Sequence, residues 1–197
     1  AMPASVAVNQ EERVPVRIAL QNLPEFLTEG PAGIALFSAE TGADFDWIPL
    51  STCRDGVNVE TTSPVVGPLT ITIARDRAHA RHGYLAQTTY TFAARRGASE
   101  VRHFDVSAYP VELQVTADRN AGPLRLTRVK DPGWQASDAA PTGVSCRPGH
   151  STTLVLGPGD YELTDPLDPT RKQPFTVPTN GPVLISEALS RPAADRP

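Results

Sequence analysis

Tyr109-Pro110-Val111-Glu112-Leu113-Gln114-Val115-Thr116-Ala117 decides the fold class, because from Val111 onward its apolar residues fall on every second position. Val111, Leu113, Val115 and Ala117 share one side of an extended chain, and Glu112, Gln114 and Thr116 the other. That is the pattern of a half-buried strand. Moving outward, the alternation recurs at 101–107 and 124–129, then at 14–20, 33–37, 69–74, 85–93, 153–156, 175–177 and 183–186. Turn formers separate these runs: Glu29-Gly30-Pro31, Arg54-Asp55-Gly56, Arg96-Gly97, Asp131-Pro132-Gly133 and Asn180-Gly181-Pro182. No window carries a long 3.6-residue stripe, and 20 prolines spread along the chain leave little room for helix interiors. A single helical turn is expected near 24–29, where Pro24 suits a first helical position and Glu25 the first turn. Short strands at this spacing predict an all-β chain of sandwiches or barrels.

The chain also repeats itself. Val14-Pro15-Val16 opens one half and Tyr109-Pro110-Val111 the other. Each opening is followed by a Gly-Pro break (Gly30-Pro31, Gly122-Pro123), a tryptophan (Trp47, Trp134) and a cysteine turn, Cys53-Arg54-Asp55-Gly56 or Cys146-Arg147-Pro148-Gly149. Four landmarks in one order predict a duplication: two tandem β-sandwich modules at residues 10–108 and 109–190, with 191–197 a flexible tail. Almost no linker separates them, so a stiff joint is expected. Each half is expected to finish with hairpins.

Within the second half, Thr153-Leu154-Val155-Leu156-Gly157-Pro158-Gly159-Asp160-Tyr161-Glu162-Leu163 resembles the "strand, Pro-Gly, x-Tyr-x-Leu" hairpin of carboxypeptidase-regulatory-like and PEGA-type modules. The resemblance covers about a dozen residues, carries no site residues and has no counterpart in the first half. It implies a small transthyretin-like or immunoglobulin-like sandwich serving as an accessory, non-catalytic domain of an exported bacterial protein.

Composition narrows the function classes. At 197 residues, 40% hydrophobic and 20% charged, the chain has the makeup of a globular protein, not a disordered or fibrous one. No apolar run approaches the length of a membrane span, so no membrane insertion is expected. The opening Ala1-Met2-Pro3 lacks the basic stretch and apolar core of a signal peptide and reads as a cloning scar or a processed end. A net charge of −4 gives no case for nucleic acid. Lys130 and Lys172 are the two lysines among 18 basic residues, a skew that reads as genomic base composition.

Six arginines, Arg75, Arg77, Arg81, Arg95, Arg96 and Arg102, stand against Asp76 and Glu100 and form the candidate anion- or partner-binding segment. Guanidinium groups suit sulfated or phosphorylated glycans, lipid headgroups or acidic proteins. If residues 69–74, 85–93 and 101–107 form a meander, these charges divide between the two ends of its sheet. His79, His82 and His103 fall in the same stretch, but no carboxylate or cysteine pattern joins them, so no metal is assigned. The acidic stretches Asp44-Phe45-Asp46 and Asp160 to Asp168 lack defined calcium spacing, and Asp165-Pro166 and Asp168-Pro169 suit turns better. There is no Gly-x-Ser-x-Gly elbow and no phosphate-cradling loop. Trp47, Trp134, Tyr84 and Tyr90 are expected in the core or between modules.

Cys53 and Cys146, in matching contexts, form a candidate disulfide bridging the modules if an approximate two-fold axis relates them, and such a bridge would argue for an oxidising compartment. The sequence therefore predicts a non-enzymatic interaction or scaffold module of an exported protein, periplasmic, secreted or at the cell surface, needing no cofactor and engaging a protein partner or surface glycan. The alternatives are a carbohydrate- or anionic-polymer-binding module using residues 75–102, and a hydrolase with remote carboxylates.

Overall fold

The computed structural model describes residues 13–64, 68–90, 101–131, 133–134 and 143–190. Fourteen strands lie among them in four sheets, with one α-helical turn, α1 (Glu25–Thr28), where the sequence predicts it, and two 3-10 turns at Leu50–Thr52 and Arg77–His79. Strands β1 (Arg13–Gln21), β4 (Asn58–Pro64) and β7 (Val101–Asp105) form a three-stranded sheet in the order β4-β1-β7. Strands β2 (Gly33–Ser38), β3 (Asp44–Pro49), β5 (Leu69–Ala74) and β6 (Tyr84–Tyr90) form a four-stranded sheet in the order β3-β2-β5-β6. The second half repeats the scheme with β8 (Tyr109–Val115), β9 (Ala121–Arg128), β10 (Val144–Cys146), β11 (Ser151–Leu156), β12 (Gly159–Asp165), β13 (Asp168–Val177) and β14 (Val183–Ile185). Its sheets run β11-β8-β14 and β10-β9-β12-β13.

Adding seven to every strand number of the first half reproduces the second, so the two β-sandwich modules share one topology. In both, the first strand is central in its sheet, antiparallel to the fourth and parallel to the seventh. This order differs from the ABED and CFG sheets of a constant-type immunoglobulin domain. The opening landmarks fall on equivalent strands, β1 and β8. Trp47 and Trp134 do not: Trp47 lies on β3, whereas Trp134 precedes β10.

Two sequence expectations about connectivity are corrected. Residues 69–74, 84–90 and 101–105 do not form a meander, because β7 leaves the sheet of β5 and β6 to pair with β1. The stretch 153–163 is not a hairpin either. Its arms β11 and β12 pair with β8 and with β9 and β13 respectively, so Gly157-Pro158 is a crossover between sheets. In each case the turn chemistry is read correctly and the partner is not, because local turn residues do not say which sheet the next strand joins. Hairpins do form at β5–β6 and β12–β13, but neither half finishes with one, because its last strand, β7 or β14, pairs in parallel with the first.

Alternation explains the cores. In the first module Val16, Ile18, Leu20, Ile34, Leu36, Leu69, Ile71, Ile73 and Phe104 are buried between the two sheets. Strands β2 and β5 are buried along their whole length. Their second face, carrying Ala35, Phe37 and Ala74, belongs to the cluster that continues into the second module through Ala80, Tyr84, Trp134, Leu124, Leu126 and Tyr161. The two central strands of this sheet are thus covered on both sides. Among the described residues no helix is long and apolar enough to cross a membrane.

Candidate functional site

Where the modules meet, an arginine is enclosed by aromatic rings. Leu124, Leu126 and Arg128 occupy successive inward positions of β9, and the third carries a guanidinium instead of an aliphatic chain. Its carbon Cζ lies 5.5, 5.4 and 5.3 Å from the ring centres of Tyr84, Trp134 and Tyr161. Nε and Nη2 donate to the Tyr161 hydroxyl at 3.2 and 2.7 Å, and Nη2 also reaches the Leu85 carbonyl at 3.3 Å. The Tyr161 hydroxyl in turn donates to the Gly157 carbonyl at 2.7 Å. Trp134 Nε1 donates to the Tyr84 carbonyl at 2.8 Å, so two hydrogen bonds from the second module end on the backbone of β6.

The rings are packed as well as bonded. Trp134 meets Tyr161 edge-on at 5.2 Å, and Tyr161 stacks on Phe175 at 5.7 Å. Gly157 is required by contact: a Cβ there would stand 2.4 Å from the Leu85 carbonyl oxygen and 2.9 Å from Arg128 Nη2. Burial first, then a hydrogen bond to Asp131, push the Tyr84 phenol well above its ordinary value, although Arg128 opposes this. Burial likewise raises Tyr161 against the pull of Arg128. Both rings therefore stay neutral, acting as hydrogen-bonding and packing groups.

A second feature lies beside this junction. A cleft of about 140 Å³ is lined by Asp44, Asp46 and Trp47 of β3 and by Arg77, Arg81 and His82 of the loop joining β5 to β6. Asp44 pairs with Arg81 at 3.0 Å, and Arg81 also donates to the Gly42 carbonyl and lies 5.5 Å over the Phe37 ring. Asp46 accepts from the Thr61 hydroxyl at 2.6 Å and from the Trp47 N–H at 2.8 Å. The Trp47 ring rests on Gly33, where a Cβ would come within 2.4 Å of it. The exposed Arg77 side chain has no ion pair or hydrogen bond among the described residues. His82 ties the loop to the second module through Nδ1 and the Gly133 carbonyl at 3.3 Å.

Of the six arginines the sequence singles out, the structure brings Arg75, Arg77 and Arg81 into or beside this one loop. Arg102 lies on β7 in the other sheet, and Arg95 and Arg96 lie outside the described residues. Arg75 contacts His79 Nε2 and Asp76. His79 Nδ1 donates to Asp76 Oδ1 at 2.6 Å, and Asp76 also caps the turn by accepting from the His79 N–H at 3.0 Å. Burial would raise Asp76, but these hydrogen bonds and the charges of His79 and Arg75 outweigh it and hold the carboxyl below its usual range. His79, His82 and His103 do not converge, since His103 is on β7. No group of three or more metal-binding side chains occurs among the described residues. Asp165 and Asp168 serve the β12–β13 turn, accepting from the N–H groups of Leu167 and Thr170.

The disulfide expectation is overturned. Cys53 and Cys146 are both free and buried, each in a different core, so equivalent positions in the repeat keep them apart. Burial raises both thiols, with Thr52 and Thr152 opposing weakly. Cys53 Sγ faces the Pro49 carbonyl at 3.6 Å, an arrangement of an inert structural thiol.

Sequence reading missed Arg128 and Tyr161 as junction residues, although a signal was present: Arg128 breaks an inward Leu124, Leu126 alternation. Asp44 and Asp46 were weighed only for calcium, because their proximity to Arg77 and Arg81 is tertiary.

No protein-family model matches the chain, and no curated protein does. Solved structures with a distant likeness include two bacterial proteins. One is a streptococcal ancillary pilin, with 10% identity and a TM-score of 0.32, covering 90% of this chain and 62% of that one. The other is the Bacillus anthracis TIE protein, with 11% identity and a TM-score of 0.28, covering 88% of this chain and 33% of that one. The chain spans less than two thirds of the length of either.

Proposed function

We propose that the chain is a non-enzymatic interaction or scaffold module, in which sandwiches at residues 10–108 and 109–190 act as one stiff spacer. The observation that supports this is the Arg128 junction: a guanidinium among three rings, with two hydrogen bonds ending on the β6 backbone. Flexible pairs of domains meet through small polar interfaces. Here instead an apolar cluster continues from one module into the other. Location outside the cytoplasm is part of the proposal. It keeps the sequence-based expectation alone, because residues 153–163 cross between sheets instead of forming the resembled hairpin and the unbridged cysteines contribute nothing to it. Nuclear-spin relaxation of the backbone amides tests the spacer. One rotational correlation time for both modules is expected, and two independent times would refute it.

The cleft favours a second reading, recognition of a carbohydrate or anionic polymer. A half-buried tryptophan, two carboxylates and an uncommitted arginine offer a stacking surface, acceptors and a cation within one small volume. Salt-sensitive retention on a heparin-like matrix that falls in Arg77→Ala is expected. Unchanged elution of that variant, with loss in an Arg95→Ala/Arg96→Ala pair, would move the site off the cleft.

A further inference from the structure

The first and last strands of each module lie side by side and point the same way. In the first module β1 and β7 pair in parallel from Arg17↔Val101 to Gln21↔Asp105. The ladder runs on beyond the strand end, where the Val106 N–H donates to the Gln21 carbonyl at 2.9 Å. In the second, β8 and β14 pair in parallel from Leu113↔Val183 to Val115↔Ile185. Parallel pairing places the entry end of the first strand and the exit end of the last at opposite ends of the ladder.

Tension along the chain therefore slides these strands past each other lengthwise. All the hydrogen bonds between them must yield together. An antiparallel hairpin pulled at its open ends is different, because its bonds break one pair at a time. The extracted strand is also held on its other flank: β1 pairs with β4 from Arg13↔Pro64 to Ala19↔Asn58, and β8 with β11 from Tyr109↔Leu156 to Gln114↔Ser151. Arg17 and Glu60 add an ion pair at 2.8 Å across β1 and β4.

The segment between the modules adds little slack. Only residues 106–108 separate β7 from β8, and Val106 and Ala108 are buried. Asp105 accepts from the Ser107 hydroxyl at 2.6 Å and from Asn22 Nδ2 at 3.2 Å, pinning the exit of β7 to the end of β1. Force passes from β1 to β7, then to β8 and β14, with shear contacts in series.

We propose that the chain bears tensile load along its N-to-C axis, each module resisting through the parallel pair of its first and last strands. This deepens the spacer reading and rests on it. The second module, with three paired positions against five, is the weaker link.

Single-molecule force spectroscopy on the whole chain tests this by comparing two pulling geometries. One pulls from the two ends. The other pulls from cysteine handles D160C and T176C, an exposed cross-strand pair on β12 and β13, which unzips that hairpin. End-to-end pulling is expected to give two unfolding events, each at several-fold higher force than the unzipping. The lower of the two should release the second module, roughly 270 Å of chain against roughly 330 Å for the first at ~3.6 Å per residue. Equal forces in the two geometries would overturn the proposal, and so would a single low-force event. Either result leaves the spacer reading standing, since that reading is decided by relaxation without load.

Discussion

Replacing Arg128 by alanine removes the group on which the module junction converges. The guanidinium–phenol hydrogen bond to Tyr161, at 2.7 Å, is charge-assisted, and its loss costs roughly 1.5–3 kcal/mol. Contact with the faces of three rings contributes about 0.5–2 kcal/mol more, toward the low end because the arginine is only partly buried. Part of this is recovered, since Tyr161 keeps its bond to the Gly157 carbonyl and Trp134 its bond to Tyr84. A net destabilisation of about 2–4 kcal/mol follows, comparable with truncating a buried leucine. The loss should fall on the coupling between modules as well as on the second core. Amide relaxation measures the first effect, and urea denaturation followed by circular dichroism the second. Arg128→Lys should recover only part of the loss, because an ammonium keeps the charge but not the planar fork that spans Tyr161 and Leu85. An Arg128→Ala protein within about 0.5 kcal/mol of the native chain, the range of ordinary surface substitutions, would refute the reasoning if its modules still tumbled together.

Three further outcomes are expected. The folded-state carboxyl of Asp76 is depressed, so its contribution to stability is fully present above the usual value of 3.8 and is lost as pH falls through the lowered one. Asp76→Asn should therefore flatten the stability profile below about pH 4 in acid titrations, and an unchanged profile would show that the Arg75-Asp76-His79 cluster is uncoupled from folding. Both thiols are raised by burial, so a thiol reagent should find neither Cys53 nor Cys146 in the native protein and both in denaturant; fast native labelling would contradict their packing. Gly33→Ala would press a methyl group against the Trp47 ring and the Ile48 carbonyl, which should cost about 1–3 kcal/mol in urea unfolding and shift the tryptophan emission.

The central strands β1, β2, β5, β8 and β9 were legible by alternation, and so were the edge strands β6, β7, β11 and β14. Leu69–Ala74 was read with its observed limits, and the alternation in 14–20 and 111–117 located the central strands β1 and β8. Among the strands absent from the alternating runs, β3, β4 and β10 lie at sheet edges, whereas β12 is central and was marked only by the Pro-Gly, x-Tyr-x-Leu stretch. An edge strand has one unpaired side, so it tolerates Asp44, Asp46 and Pro49 in β3 and Glu60 and Pro64 in β4. Those residues erase the apolar alternation. β10 has only three residues, Val144–Cys146, too few to show a period. The duplication was legible from its opening strands and cysteine turns but misled on Trp134, whose position before β10 serves the junction and has no equivalent in Trp47. The disulfide expectation failed for a related reason. Equivalent positions in two modules meet only under a particular symmetry, and sequence similarity does not supply the operator.

Pairing the last strand of a module with its first also governs how the chain can fold as it is synthesised. On the ribosome, β1 emerges first and waits for β7, which cannot join it until residues 101–105 have left the exit tunnel. The unfinished sheet presents an open edge throughout that interval. Because β14 is added to β8 by the same scheme, either closing strand faces two grooves of one design, and a late β7 competes with β14 for them. Long-range pairings of this kind close slowly and favour exchange between repeats. A pause in translation shortly after residue 108 would let the first module close before its rival exists, so the order of synthesis itself protects the correct pairing.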